Sequence, residues 1–148
     1  MTDPVESMAQ SMILHASCIA IAGKALLILG PSGSGKSALA LKLMAYGAGL
    51  ISDDQTGLRR EGVRLIAFCP SAAIRGLIEA RGIGLLRSPA AIPSEVVLVV
   101  DLAQPEQDRL PPRRTISLAG CLLPLVLGAQ NDHLAEGLLA WMKGGRQE

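Results

Sequence analysis

Apolar residues along the chain fall into short blocks divided by glycine, proline and charged turns, a pattern that predicts many strands and few helices. Met12-Ile13-Leu14-His15-Ala16-Ser17-Cys18-Ile19-Ala20-Ile21 reads as one strand interrupted by His15, and Gly23-Lys24 turns the chain back antiparallel into Ala25-Leu26-Leu27-Ile28-Leu29. Ala38-Leu39-Ala40-Leu41-Lys42-Leu43-Met44 is a helix of good formers that stops at Tyr46-Gly47-Ala48-Gly49. Leu50-Ile51-Ser52 begins a short strand, and residues 56–68 form a hairpin that turns at Glu61-Gly62. Residues 76–86 read as a strand and a Gly-x-Gly turn, with Glu79 and Arg81 on one face by strand periodicity. Val96-Val97-Leu98-Val99-Val100-Asp101 shows no polar alternation, so it is expected to be buried on both faces. After a polar loop at residues 105–112, strands are expected at 115–119 and at 122–127, the second interrupted by Pro124. Asn131-Asp132 caps a last helix whose Leu134, Leu138, Leu139 and Met142 form an apolar stripe, ended by Gly144-Gly145. Residues 1–10 are polar and contain Pro4, which suits a loose leader to a single domain over residues 1–148.

The chemistry concentrates after the strand that ends at Leu29. Gly30-Pro31-Ser32-Gly33-Ser34-Gly35-Lys36-Ser37 fits the phosphate-binding, or Walker A, pattern G-x-x-x-x-G-K-[ST] in its proper setting of strand, loop and helix. Three glycines let the backbone turn its N–H groups inward as a nest for anionic oxygens, and the N-terminus of the next helix adds partial positive charge. Lys36 is placed to reach the β- and γ-phosphates of ATP, and the Ser37 hydroxyl to ligate Mg²⁺. A plain Gly/Ser turn would require neither of those residues at that spacing. Asp53-Asp54 ends the next strand, and carboxyl ends of strands in open α/β sheets converge on the ligand crevice. One aspartate can hold the metal while the other accepts a proton from an attacking hydroxyl, although such a pair also begins ordinary polar turns. On pattern alone His15 fits a packed imidazole better than a catalytic one. The fold class is therefore α/β, a P-loop-containing mixed sheet with packed helices.

Composition narrows the functions available. The chain has 148 residues and is 49% hydrophobic, enough for one real core. Its aromatics are only Tyr46, Phe68 and Trp141, and its net charge is +1, so it lacks both the stacking groups and the basic footprint of a nucleic-acid binder. Cys18, Cys69 and Cys121 lie far apart in apolar surroundings, as expected for reduced, small hydrophobic residues. No apolar run approaches the ~20 residues of a spanning helix, and the first residues are acidic where a secretory signal is basic. These features predict a cytoplasmic protein without a membrane association.

Taken together, the residues resemble the catalytic domain of HPr kinase/phosphorylase, the bacterial enzyme that modifies a serine of the phosphocarrier HPr. The resemblance rests on His15 ahead of the phosphate loop, the loop itself, Asp53-Asp54, the Glu79-Ala80-Arg81-Gly82-Ile83-Gly84 stretch, similar to the family's E-x-R-G-[LI]-G signature, and Asp108-Arg109-Leu110, similar to its D-R-L segment. It implies a fold like that of HPr kinase and phosphoenolpyruvate carboxykinase, and ATP- and Mg²⁺-dependent phosphorylation of HPr, with weak reverse phosphorolysis, in regulation of carbon metabolism through the phosphotransferase system. It further implies that His15 lies near the transferred phosphate, that Lys36 binds phosphate, that Ser37, Asp53 and Glu79 hold Mg²⁺, that Asp54 accepts the serine proton and that Arg109 is the catalytic arginine. A homo-hexamer with HPr docked across subunits follows from the same resemblance.

The chain departs from the family in two places. It resembles a short form made of the catalytic domain alone, without the separate N-terminal domain of longer members. Where the family carries P-V-x-P-G-R-N, linked to phosphorolysis, the corresponding Leu123-Pro124-Leu125-Val126-Leu127-Gly128-Ala129-Gln130-Asn131 has no arginine, which predicts that kinase activity outweighs phosphorolysis. Two other readings use the same loop: a small-molecule kinase, with the segment at 81–93 as its lid, and a non-catalytic ATP-sensing module, which would not need a proton acceptor such as Asp54.

Overall fold

The computed structural model describes residues 11–148, so the expected leader at 1–10 lies outside the described residues. The element order is β1 (Ser11–Leu14), β2 (Ser17–Ile21), β3 (Lys24–Leu29), α1 (Lys36–Ala45), β4 (Gly49–Ser52), β5 (Thr56–Glu61), β6 (Arg64–Phe68), β7 (Leu77–Ala80), β8 (Gly84–Arg87), β9 (Ser94–Asp101), β10 (Arg114–Leu118), β11 (Cys121–Leu127) and α2 (Leu134–Gly144). The expected mixed sheet with packed helices is present. None of the helices among the described residues is long and apolar enough to cross a membrane.

Nine strands form one sheet along the path β1-β5-β6-β9-β3-β2-β4, and the β10–β11 hairpin joins it through β11. The Val-rich β9 lies at the centre, parallel to β3 along its whole length. Its other edge is divided: Ser94 and Glu95 pair with antiparallel β6, whereas Val99 to Asp101 pair with parallel β11. Alternation along each strand fills two cores. Ile19, Leu26, Ile28 and Leu50 face α1 and α2, while Cys18, Ala25, Leu27 and Ile51 face the opposite side, closed by β5, β6, β10 and β11. In β9 the register slips at Val97, so Val96 and Leu98 fall on opposite faces although two residues apart. The one-residue bulge lets an uninterrupted apolar run serve both cores.

The first strand differs from the sequence expectation. The stretch from Met12 to Ile21 is two strands, broken at His15 and Ala16, with β1 paired to β5 and β2 to β3 and β4. The break is needed because β1 and β4 stand at opposite ends of the sheet path, yet β1 continues directly into β2 and β4 into β5. The two ends are thereby drawn together into a seam. There Ala16 N–H donates to the Asp54 carbonyl (3.0 Å), and the Thr56 hydroxyl to the Ala16 carbonyl (2.8 Å). The curled sheet thus brings the His15 turn against the Asp53-Asp54 turn.

Helix α1, rich in alanine and leucine, buries Leu39, Ala40 and Leu43 against the sheet and stops at Tyr46, before Gly47 at φ 107°. Helix α2 buries Ala135, Leu138, Leu139 and Met142, whereas Leu134 of the expected stripe is only half-buried. Its cap also differs from expectation. His133 occupies the N-cap without a side-chain bond, and Asn131, two residues before it, accepts the His133 N–H at its Oδ1 (3.0 Å) and does not cap the helix itself. The Tyr46 hydroxyl donates to Glu136 Oε2 (2.7 Å) and ties the two helices together.

Candidate active site

The loop at residues 30–37 joins β3 to α1 at the carboxyl end of the central strands. Gly30 is required by close approach, since a Cβ there would fall 2.4 Å from Ser34 Oγ and 3.2 Å from Leu102 Cβ. Gly35 precedes the helix at φ 100°, a conformation that costs an L side chain strain. Lys36 is 7% exposed and folds over the loop, its Nζ donating to the carbonyls of Gly30 (2.8 Å) and Pro31 (3.1 Å). Ser34 Oγ is buried and has no hydrogen-bond partner. A buried hydroxyl left over in a loop of this shape is what a bound anion would satisfy.

Asp53 and Asp54 do different work despite being neighbours. Asp53 is 7% exposed, and its Oδ1 accepts the hydroxyls of both Ser37 (2.7 Å) and Ser17 (2.6 Å), while its Oδ2 accepts Glu79 N–H (3.4 Å). It is a hub joining β2, α1 and β7. Asp54 is exposed at φ 69°, a left-handed position that aspartate tolerates better than most residues. Its Oδ1 lies 3.2 Å from His15 Nδ1, and His15 Nε2 lies 3.3 Å from Ser32 Oγ. The imidazole therefore bridges the phosphate-type loop and the free carboxylate. His15 is a half-exposed turn residue at the seam, and not a packed strand histidine.

These groups line one cleft of about 510 Å³, shared by His15, Ser32, Lys36, Ser37, Asp54 and Glu79. The E-x-R-G-x-G stretch forms the far wall. Glu79 lies on β7 and Arg81 in the following turn, so both reach the cleft, but through a hairpin with β8 that the sequence pattern did not resolve. Ser37, Asp53 and Glu79 offer only hard oxygen donors, which suit Mg²⁺. No three His, Cys, Asp or Glu side chains cluster into a metal site among the described residues, and Mg²⁺ characteristically takes one or two carboxylates together with substrate phosphates. Sequence reasoning missed Ser17. Its only signal was a polar residue two places from His15 in an apolar strand.

Arg109 is not brought into this cleft. It lines a second one, of about 520 Å³, with Asn131, His133, Trp141 and Arg146. Its loop is pinned by Glu106, whose carboxylate accepts Arg114 Nε (2.7 Å) and Nη2 (2.9 Å) as well as the N–H groups of Gln107 (3.0 Å) and Asp108 (3.2 Å). The Arg114 hydrogen bonds hold the Glu106 carboxyl down at about 2, from an ordinary 4.5. A carboxyl lowered on folding stabilises the fold above its ordinary value, and that contribution disappears as pH falls through the folded value. Thermal melts should accordingly show wild type above Glu106→Gln at pH 6, with the gap narrowing below 4.5 and closing near 2. A gap that stays constant with pH would contradict this.

A family model described as HPr Serine kinase C-terminal domain matches residues 6–110. The HPr kinase/phosphorylase of Alkaliphilus metalliredigens is 33% identical over 106 residues, covering 67% of this chain and 34% of that protein. The HPr kinase/phosphorylase of Bordetella pertussis is 39% identical over 82 residues, covering 55% of this chain and 26% of that protein. The chain thus spans about a third or less of the length of these relatives. The solved Hpr(Ser) kinase/phosphatase from Coxiella burnetii superposes with a TM-score of 0.75 at 29% identity, covering 89% of this chain and 88% of that one. With the match running through the loop, the aspartate pair and the β7–β8 hairpin, the chain belongs to the HPr serine kinase C-terminal domain family.

Proposed function

We propose that the chain binds ATP with Mg²⁺ in the 30–37 loop and phosphorylates a serine of the phosphocarrier HPr. The observation that carries this reading is Asp54, an exposed carboxylate held by His15 beside the loop and distinct from the buried, hydroxyl-bound Asp53. A site built only to sense nucleotide has no use for a second, exposed carboxylate positioned in this way.

The loop N–H groups and Lys36 hold the polyphosphate and offset its charge. Ser37, Asp53 and Glu79 would hold Mg²⁺, whose charge would offset that of the phosphates. Asp54 accepts the proton of the serine hydroxyl as its oxygen forms a bond to the γ-phosphorus. The bond from that phosphorus to the bridging β–γ oxygen breaks, and ADP leaves. His15 keeps Asp54 facing the loop. Arg109 is retained as the catalytic arginine, and its place in the second cleft requires delivery from outside the loop cleft, by movement of its own loop or by a neighbouring copy in the hexamer.

The reading is tested by ADP release from ATP and Mg²⁺. It should require HPr and stop when the HPr acceptor serine is alanine. Equal release with small hydroxyl compounds in place of HPr would favour a small-molecule kinase. Because residues 123–131 carry no arginine, transfer of the phosphoryl group from phospho-HPr to inorganic phosphate, giving pyrophosphate and free serine, should be slower than phosphorylation.

A further inference from the structure

We propose that Ser17 is a positioning residue that sets the Asp53 carboxylate for the metal accompanying the nucleotide. The inference rests on the ATP and Mg²⁺ part of the proposed function, and not on which acceptor is used.

Ser17 is fully buried in β2, and its hydroxyl donates to Asp53 Oδ1 at 2.6 Å, the same oxygen that accepts Ser37 at 2.7 Å. The Asp54 N–H approaches the Ser17 oxygen at 3.5 Å, so this one side chain touches both residues of the pair. Asp53 is itself almost wholly buried, and water cannot substitute for a lost donor there. The two hydroxyls differ in kind. Ser37 lies in the first turn of α1, at the end of the loop that meets the ligand. Ser17 pairs with Ile28 of β3, and from the next residue on its strand is also paired with β4, so its position is set by the sheet. It orients the carboxylate before any ligand arrives, the arrangement by which partners of metal-binding carboxylates tune affinity. The rest of β2 is Cys18, Ile19, Ala20 and Ile21, so a serine at the end nearest the site is a polar exception in an otherwise apolar strand.

The test uses the full chain and calorimetric ADP affinity measured with Mg²⁺ and with EDTA, the ratio being the metal-dependent gain. Ser17→Ala should reduce that gain about tenfold while leaving the metal-free affinity close to wild type, with a lower unfolding temperature from the donor lost to buried Asp53. Ser17→Thr, which keeps the hydroxyl, should restore it. In an Asp53→Asn background Ser17→Ala should change the gain no further, because the acceptor it positions has already been altered. An unchanged gain in Ser17→Ala, an equal fall with and without metal, or full additivity with Asp53→Asn would overturn the proposal. So would a wild type with no gain at all, whereas a wild type with the gain but no transfer to HPr contradicts only the acceptor.

Discussion

Asp54→Ala will leave the ATP affinity of the chain within about twofold of wild type and lower the rate of phosphoryl transfer by about 10²–10⁴-fold, the span covered by a positioned general base. The separation follows from the geometry. Among the described residues Asp54 takes no hydrogen bond from the 30–37 loop and its side chain pairs only with the His15 ring, whereas Asp53 carries the contacts to Ser37 and to β7. Equilibrium binding and single-turnover transfer, measured on one preparation, check both halves. Loss of ATP binding in parallel with transfer would place Asp54 in the nucleotide site instead. Asp54→Asn keeps the size and the His15 contact but cannot accept the proton, so it should be as slow as alanine.

Lys36→Met should be the second large effect, lowering transfer about 10²–10³-fold and weakening ATP binding as well. Its ammonium is the one cation folded onto the loop among the described residues, held at the carbonyls of Gly30 and Pro31 and almost fully buried. Lys36→Arg should not rescue it. A compact, rotatable ammonium fits between two carbonyls where a planar fork needs more room. The measurement is kcat and KM for ATP in both variants, and near-normal kcat in Lys36→Arg would contradict the account.

Where function depends on neighbours in the chain, it was legible in the sequence. The strand, loop and helix from Lys24 to Ala45 and the two-sided burial of β9 follow from residues a few places apart. Features set by distant pairing were not legible. The break between β1 and β2 exists because the ends of a curled sheet meet, and nothing between Met12 and Ile21 marks it except His15 itself. The same seam converts His15 from an interruption in a strand into the link between Ser32 and Asp54. Ser17 was passed over because its partner lies 36 residues away. Arg109 shows the reverse case: the D-R-L segment is plain in the sequence, but the Glu106 clamp that fixes its loop spans eight residues and directs it to a different cleft.

The cleft is proposed to transfer the terminal phosphoryl group of ATP to a serine of HPr. Incubating the purified chain with γ-labelled ATP, Mg²⁺ and HPr, alongside HPr whose acceptor serine is alanine, tests it most directly. Label on intact HPr that is absent from the alanine form is the predicted result. ATP bound in the cleft with no label on either HPr, or with equal label on both, would contradict it.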